Sequence, residues 1–188
     1  MLSGRELSTI ICVGDIYGTT KLNYLIGDER IWLDTDYYDL VYSKDGDFNV
    51  QTGQHTITVD HEHDSDLNKG YYYLYMFNNN TGVSEQYPDY DWSAHENIDT
   101  DSMYYRYFVN ENDKTYSLVK EIDLEPSRYI SSVQEYKNHI IVDSGQSFVI
   151  YEIDSNDELI AKYLIEEKMW GLYRCFKYDF NDFYFYKM

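Results

Sequence analysis

Three of the chain's five histidines fall within "GQHTITVDHEHDSD", residues 53–66. An imidazole can ligate a metal, move a proton or attack an electrophile, so spacing has to decide between these. His61 and His63 form a His-x-His pair flanked by Asp60, Glu62, Asp64 and Asp66. Alternate strand residues project to one side, and such a pair can hold zinc or copper. No third compact His or Cys cluster joins it. We therefore read the stretch as an acidic, solvated hairpin turn and assign no metal. A calcium loop fails on spacing: Asp64, Asp66 and Asn68 mimic the first three ligands, but Gly70 falls one position late and Tyr75 stands where the bidentate glutamate belongs. His55 is in a different setting. It follows Gly53 and Gln54 and precedes "TITV", where a loop enters a strand. By itself it reads as a core or capping histidine.

The other candidates are scattered. His139, in "KNHIIVDSG", falls in an expected hairpin turn, and His95, in "DWSAHENID", falls in a loop-like insertion. Arg106, in "YYRYF", is a strand arginine among tyrosines, suited to a structural ion pair or to holding an anion. Cys12 and Cys175 lie in strand-like runs far apart and read as free thiols.

The elements that must position these groups read as β-strands. Short apolar or alternating runs recur between Gly, Asn and Asp punctuation: "STIICV", "LNYLI", "HTITV", "YYYLYMF", "YYRYFVN", "YSLVKEI", "YISSVQEY", "HIIVDS", "SFVIYEI", "LIAKYLI" and "LYRCFKY". Helical periodicity is weak throughout, with only a short helix-like turn in "EEKMWGLY". The runs repeat as a unit of four antiparallel strands, as in a β-propeller blade. The expected division is a half blade at 1–27, a blade at 54–123 with an insertion at 79–103, a blade at 129–165 and a partial final blade at 170–188. A ring needs about 4 to 8 blades, so an all-β, partial propeller is expected, with a β-sandwich as the alternative.

Composition excludes some partners. Fifteen Lys and Arg stand against 34 Asp and Glu, a net charge of −19. Such a surface repels phosphate backbones and anionic lipids, so neither nucleic acid nor a membrane surface is an expected partner. No apolar run is long enough to span a bilayer. The 43% hydrophobic and 18% aromatic content argues for a packed core despite the acidity. The opening "MLSGRELSTIICVGD" lacks a signal-peptide pattern and reads as the middle of a strand and turn, as expected of a piece of a longer chain.

The segments "SGRELSTIICV", "LIGDERIW", "GDFNVQTGQHTITV", "YYYLYMFNNN", "SSVQEYKNHIIVDSG" and "LYRCFKYDF" together resemble, in order, the bacterial aryl-sulfate sulfotransferase family. "GQHT" is the most specific part and "YRCFKYDF" the next. The resemblance implies the carboxyl-terminal half of a six-bladed propeller, with missing blades supplied by a longer chain or an oligomer, and a largely exported location. It also implies sulfuryl transfer from a phenolic sulfate ester to a phenolic acceptor through a sulfohistidine, without cofactor or metal. That reaction needs a nucleophile, a proton source for the departing phenolate and cations for the sulfonate oxygens. On this resemblance His55 matches an active-site histidine, as acid/base group or sulfate ligand rather than nucleophile. Arg5, in "SGRELS", matches a position expected near the channel. The family's Phe-Asp-Asn-Gly turn followed by arginine appears here as "FNNNTG" without the arginine, and Arg106 is the candidate to replace it. An inactive or truncated propeller fragment acting as a binding module is the alternative function.

Overall fold

The computed structural model describes residues 1–14, 17–18, 20–61, 66–81, 89, 101–166 and 170–180. Three sheets account for the described strands. β1 (Leu2–Gly4), β2 (Thr9–Val13) and β3 (Leu22–Ile26) pair antiparallel in that order. β4 (Ser43–Lys44), β5 (His55–Asp60), β6 (Tyr71–Asn78), β7 (Ser102–Asn110) and β8 (Thr115–Leu124) form a sheet ordered β4-β8-β7-β6-β5, with only β4 parallel to its neighbour. β9 (Ser132–Tyr136), β10 (His139–Ser144), β11 (Val149–Ile153) and β12 (Leu159–Leu164) form an antiparallel sheet. The helices among the described residues are single 3₁₀ turns. The chain is therefore all-β, as its sequence leads one to expect.

Register follows from the pleat. Leu74 and Met76 of β6 face the first sheet, packing with Ile10, Tyr24 and Ile26. Tyr75 and Phe77 face the third sheet, packing with Val133, Ile140 and Val142. A strand buried on both faces needs an unbroken apolar run, and "YYYLYMF" supplies one. The buried tyrosines satisfy their hydroxyls: Tyr24 and Tyr72 share a 2.5 Å bond, and Tyr116 donates to the Gly27 carbonyl at 3.1 Å. The "KN" turn joining β9 to β10 has both residues at positive φ, +49° and +65°, the geometry a two-residue hairpin requires.

The first and third sheets share a local plan. In each, a strand (β1 ending at Gly4, β10 at Ser144) runs into a 3₁₀ turn (Arg5–Leu7 or Gly145–Ser147), then a left-handed residue (Ser8 or Phe148), then the next strand. Sequence reading of residues 1–27 names two strands; the structure adds β1 as a third, too short to show as a periodic run.

"LYRCFKY" reads as a strand, but residues 171–180 have no ladder partner among the described residues. The segment lies across the third sheet and bonds to side chains. Ser132 Oγ accepts from the Cys175 N–H at 3.0 Å, and the Gln134 side chain exchanges bonds with both backbone groups of Lys177 at 2.7 and 3.1 Å. Ser132 and Gln134 lie on one face of β9, two residues apart, and imitate a ladder. Leu172 N–H reaches the Gly145 carbonyl at 2.9 Å, and a Cβ at Gly145 would stand 2.1 Å from the Leu172 oxygen. Only glycine permits that approach.

Asp143, in β10, is 0% exposed, and neither carboxylate oxygen has a hydrogen-bond partner among the described residues. Burial pushes its carboxyl up to about 7. The native state then holds a proton that the unfolded chain releases near pH 4. The contribution of Asp143 to stability is fully present below that range and is lost as pH rises through about 7, roughly 4 kcal/mol in all. Asp143→Asn should flatten this slope. Urea midpoints for the variant and wild type are expected to agree near about pH 4 and to separate, with the variant more stable, near about pH 8.

Candidate active site

His55 opens β5, where a buried loop enters the sheet. The loop residues Gln51, Thr52, Gly53 and Gln54 are all buried and bond mostly to other protein groups, with Gln54 Oε1 left without a partner among the described residues. Gln51 donates from Nε2 to the carbonyls of Ser8 (3.2 Å) and Ile26 (3.0 Å) and accepts from the Tyr107 hydroxyl at 2.9 Å. Gln54 Nε2 donates to the Thr9 carbonyl at 3.1 Å. Gly53 has φ +64° and donates to Ser8 Oγ at 3.1 Å. These bonds tie the loop to the first sheet and fix where His55 begins.

A bulge then re-aims the strand. His55 pairs with Phe77, but the register shifts before Thr58, and Thr56 takes φ +52°. A β-branched residue rarely adopts that conformation. It is held by a bond from Thr56 Oγ to the Ser131 carbonyl at 3.1 Å. Asn80, Ile130 and Ser131 also have positive φ, so unusual backbone gathers around this histidine.

Asn79 sets the tautomer. Its side chain is on a residue only 2% exposed, and Nδ2 donates to the carbonyls of Ser127 (2.6 Å) and Ile130 (3.0 Å). That orients Oδ1 toward His55 Nδ1, 2.6 Å away. An amide oxygen accepts only, so this network assigns the proton to Nδ1 and leaves Nε2 with its lone pair. Burial lowers the imidazole below its ordinary pKa; the Asn79 bond opposes this, while the positive charges of Arg5 and Arg174 add to the lowering. At neutral pH the ring is uncharged, with Nε2 able to take a proton or attack an electrophile.

Arg5 sits in the 3₁₀ turn after β1. Its guanidinium pairs with Glu6, donates to the Arg128 carbonyl at 3.1 Å and lies 5.1 Å above the Tyr129 ring. Arg106 is elsewhere. It points toward the far end of β5, where its nitrogens bond Asp60 at 2.5 Å and Glu135, with the guanidinium 4.9 Å above the Tyr73 ring. Asp60 is thus a buried ion-pair partner, contrary to its reading as part of a solvated turn. The expectation failed because the pairing partner lies 46 residues on. His61 is exposed, while residues 62–65 and His95 lie outside the described residues. His139 begins β10 rather than sitting in the turn, and its Nδ1 lies 2.7 Å from Glu152. Both cysteines are free.

Two site residues escaped sequence reading. Asn79 lies in "FNNNTG", a turn whose three successive asparagines do not distinguish it by pattern. Arg174 lies in "LYRCFKY" and comes near His55 only because residues 171–180 fold back onto β9. The available signal was that both belong to quoted family-like segments and carry side chains able to hold an imidazole or an anion.

Two outcomes follow from this geometry. Asn79→Ala strips partners from two buried carbonyls and from His55 Nδ1, and should cost about 1–3 kcal/mol of stability. Nitrogen NMR of His55 is expected to show a single Nδ1–H tautomer in wild type and a mixture in the variant. Arg106→Met leaves Asp60 and Glu135 without their shared cation and should cost about 3–5 kcal/mol, measured by denaturant unfolding.

Residues 1–172 match the model of the family described as Arylsulfotransferase (ASST). No curated protein matches the chain.

Proposed function

The chain belongs to the arylsulfotransferase family, and from that premise we propose that it moves a sulfuryl group from a phenolic sulfate ester to a phenolic acceptor through a sulfohistidine. The observation that carries this reading is the uncharged His55, with Nδ1–H held by Asn79 and Nε2 unprotonated. In the first half-reaction the ester's S–O bond breaks as the histidine N–S bond forms, and the phenolate leaves to solvent. In the second, the Nε2 lone pair takes the acceptor phenol's proton as its oxygen displaces the histidine nitrogen from sulfur, and the imidazolium then releases that proton to water. Arg5 contributes positive charge beside the ring, where sulfonate oxygens need it. Arg106 stays outside this set, because Asp60 and Glu135 already occupy its nitrogens.

We read the three sheets as successive propeller blades at 1–27, 54–123 and 129–165, with 170–188 as part of a final blade, together about half of a six-bladed ring. The support is the repeated strand, 3₁₀ turn, left-handed residue and strand in the first and third sheets. Blades from a longer chain or an oligomer would complete the ring. A second reading, a binding module without turnover, is favoured by one observation: no arginine follows "FNNNTG".

The test is transfer from 4-nitrophenyl sulfate to an added phenol, followed as 4-nitrophenolate. His55→Ala should lower the rate by about 100-fold or more, and a loss under about tenfold would remove His55 from the site. Because the imidazole's pKa is lowered, the wild-type rate should hold as pH falls to about 6.5 and decline only below it. Mass spectrometry of rapidly quenched enzyme separates the roles: a sulfuryl adduct on His55 makes it the nucleophile, and an adduct on another histidine leaves it the proton carrier. Phenolic sulfate binding without turnover would select the second reading.

A further inference from the structure

A chain of net charge −19 that binds an organic sulfate must concentrate cations where the sulfonate sits. Five arginines are available. Arg30 is bonded to Asp28, Arg106 to Asp60 and Glu135, and Arg128 is partnered as well. Arg5 is partly spent on Glu6 and the Arg128 carbonyl. Arg174 is exposed, and among the described residues its guanidinium forms no ion pair; its recorded contact is with the ring of Tyr173, at 5.1 Å.

The backbone around Arg174 is anchored on both sides, and both anchors lead to His55. On one side, Leu172 N–H bonds the Gly145 carbonyl at 2.9 Å, and Gly145 N–H bonds Ser131 Oγ at 3.0 Å. On the other, Cys175 N–H bonds Ser132 Oγ at 3.0 Å. The Ser131 carbonyl in turn holds Thr56, the residue after His55, at 3.1 Å. Arg174 is therefore delivered to the rim of the His55 site by a docked segment whose close approach depends on Gly145. Its charge reaches the imidazole, adding to the lowering of its pKa.

We infer that Arg174 is the sulfonate-gripping cation of this site, brought in by residues 171–180 in place of the arginine missing after "FNNNTG". A guanidinium with unoccupied N–H groups can bond two sulfonate oxygens at once, which a lysine cannot do in the same geometry. The inference rests on the sulfotransferase reading for the identity of the ligand, and on the anchors above for the place.

The experiment measures binding separately from turnover. 4-Nitrophenyl sulfate is titrated into wild type, R174Q, R174K and the remote control R30Q, with the His55 ring resonances as the binding signal. R174Q should raise Kd by about tenfold or more, the loss of a charge-assisted bond, with R174K recovering part of it and R30Q staying within about twofold. In turnover assays the R174Q defect should fall on KM and kcat together. A Kd for R174Q within about twofold of wild type overturns the inference, even with turnover intact. Wild type that binds but does not turn over refutes the proposed activity and leaves the Arg174 comparison decisive. Wild type that does not bind the aryl sulfate overturns both. Thermal unfolding of R174Q should match wild type; if it does not, R174K supplies the comparison, and full wild-type affinity in R174K overturns the bidentate grip.

Discussion

The carboxamide of Asn79 is the constraint on which the site depends. One planar group meets two carbonyls and one imidazole, so it can be satisfied in only one orientation. A buried amide with an orphaned donor or acceptor is costly, and that cost locks the loop after β6 to the loop before β9. The same device recurs nearby. Gln51 and Gln54 bond backbone groups of the first sheet, Asn78 Oδ1 accepts from the Thr52 N–H at 2.9 Å, and Gln146 Oε1 accepts from the Arg128 N–H at 2.7 Å. Amide side chains, which carry both donors and acceptors, serve these buried loops, although Gln54 Oε1 and Asn78 Nδ2 have no partner among the described residues.

This seam can form because the central sheet is apolar on both faces. β6 and β7 bring Leu74, Met76, Tyr105 and Tyr107 to one neighbour and Tyr75, Phe77 and Tyr104 to the other. Burial on both sides fixes the strand register, since a slip by one residue would exchange the two faces. The strand ends are then fixed too, and with them the loops that carry His55 and Asn79. The abundance of tyrosine suits this arrangement: the ring fills the core while the hydroxyl reaches a partner at its edge, as Tyr107 does with Gln51.

Electrostatics separates two kinds of cation in an acidic chain. Arg106 is a scaffold charge, bonded to Asp60 and Glu135 over the Tyr73 ring. Arg5 and Arg174 act instead on His55, and with burial they keep its ring uncharged. On the proposed sulfuryl transfer, a neutral imidazole with guanidinium charge nearby supplies the nucleophile or base and a setting that favours anions. Arrangements of that kind suit the transfer of an anionic group better than ligation of a metal.

The all-β class was legible in the sequence, because alternating runs and turn residues act over a few positions. The "KN" hairpin and the long run of β6 are local in this sense, and so is His55's place at a strand entrance. The role proposed for it was legible only through the company of "GQHT" with other segments. The rest required tertiary structure. Asp60 looked solvated because its partner Arg106 is distant in the chain, and "LYRCFKY" looked like a strand because its alternation is real, although side chains of β9 satisfy it across a face. Local propensity specifies which residues extend and where they turn. Only packing brings Asn79 into contact with His55 and the charge of Arg174 within its reach, since these residues lie 24 and 119 positions from His55, over which no sequence period operates.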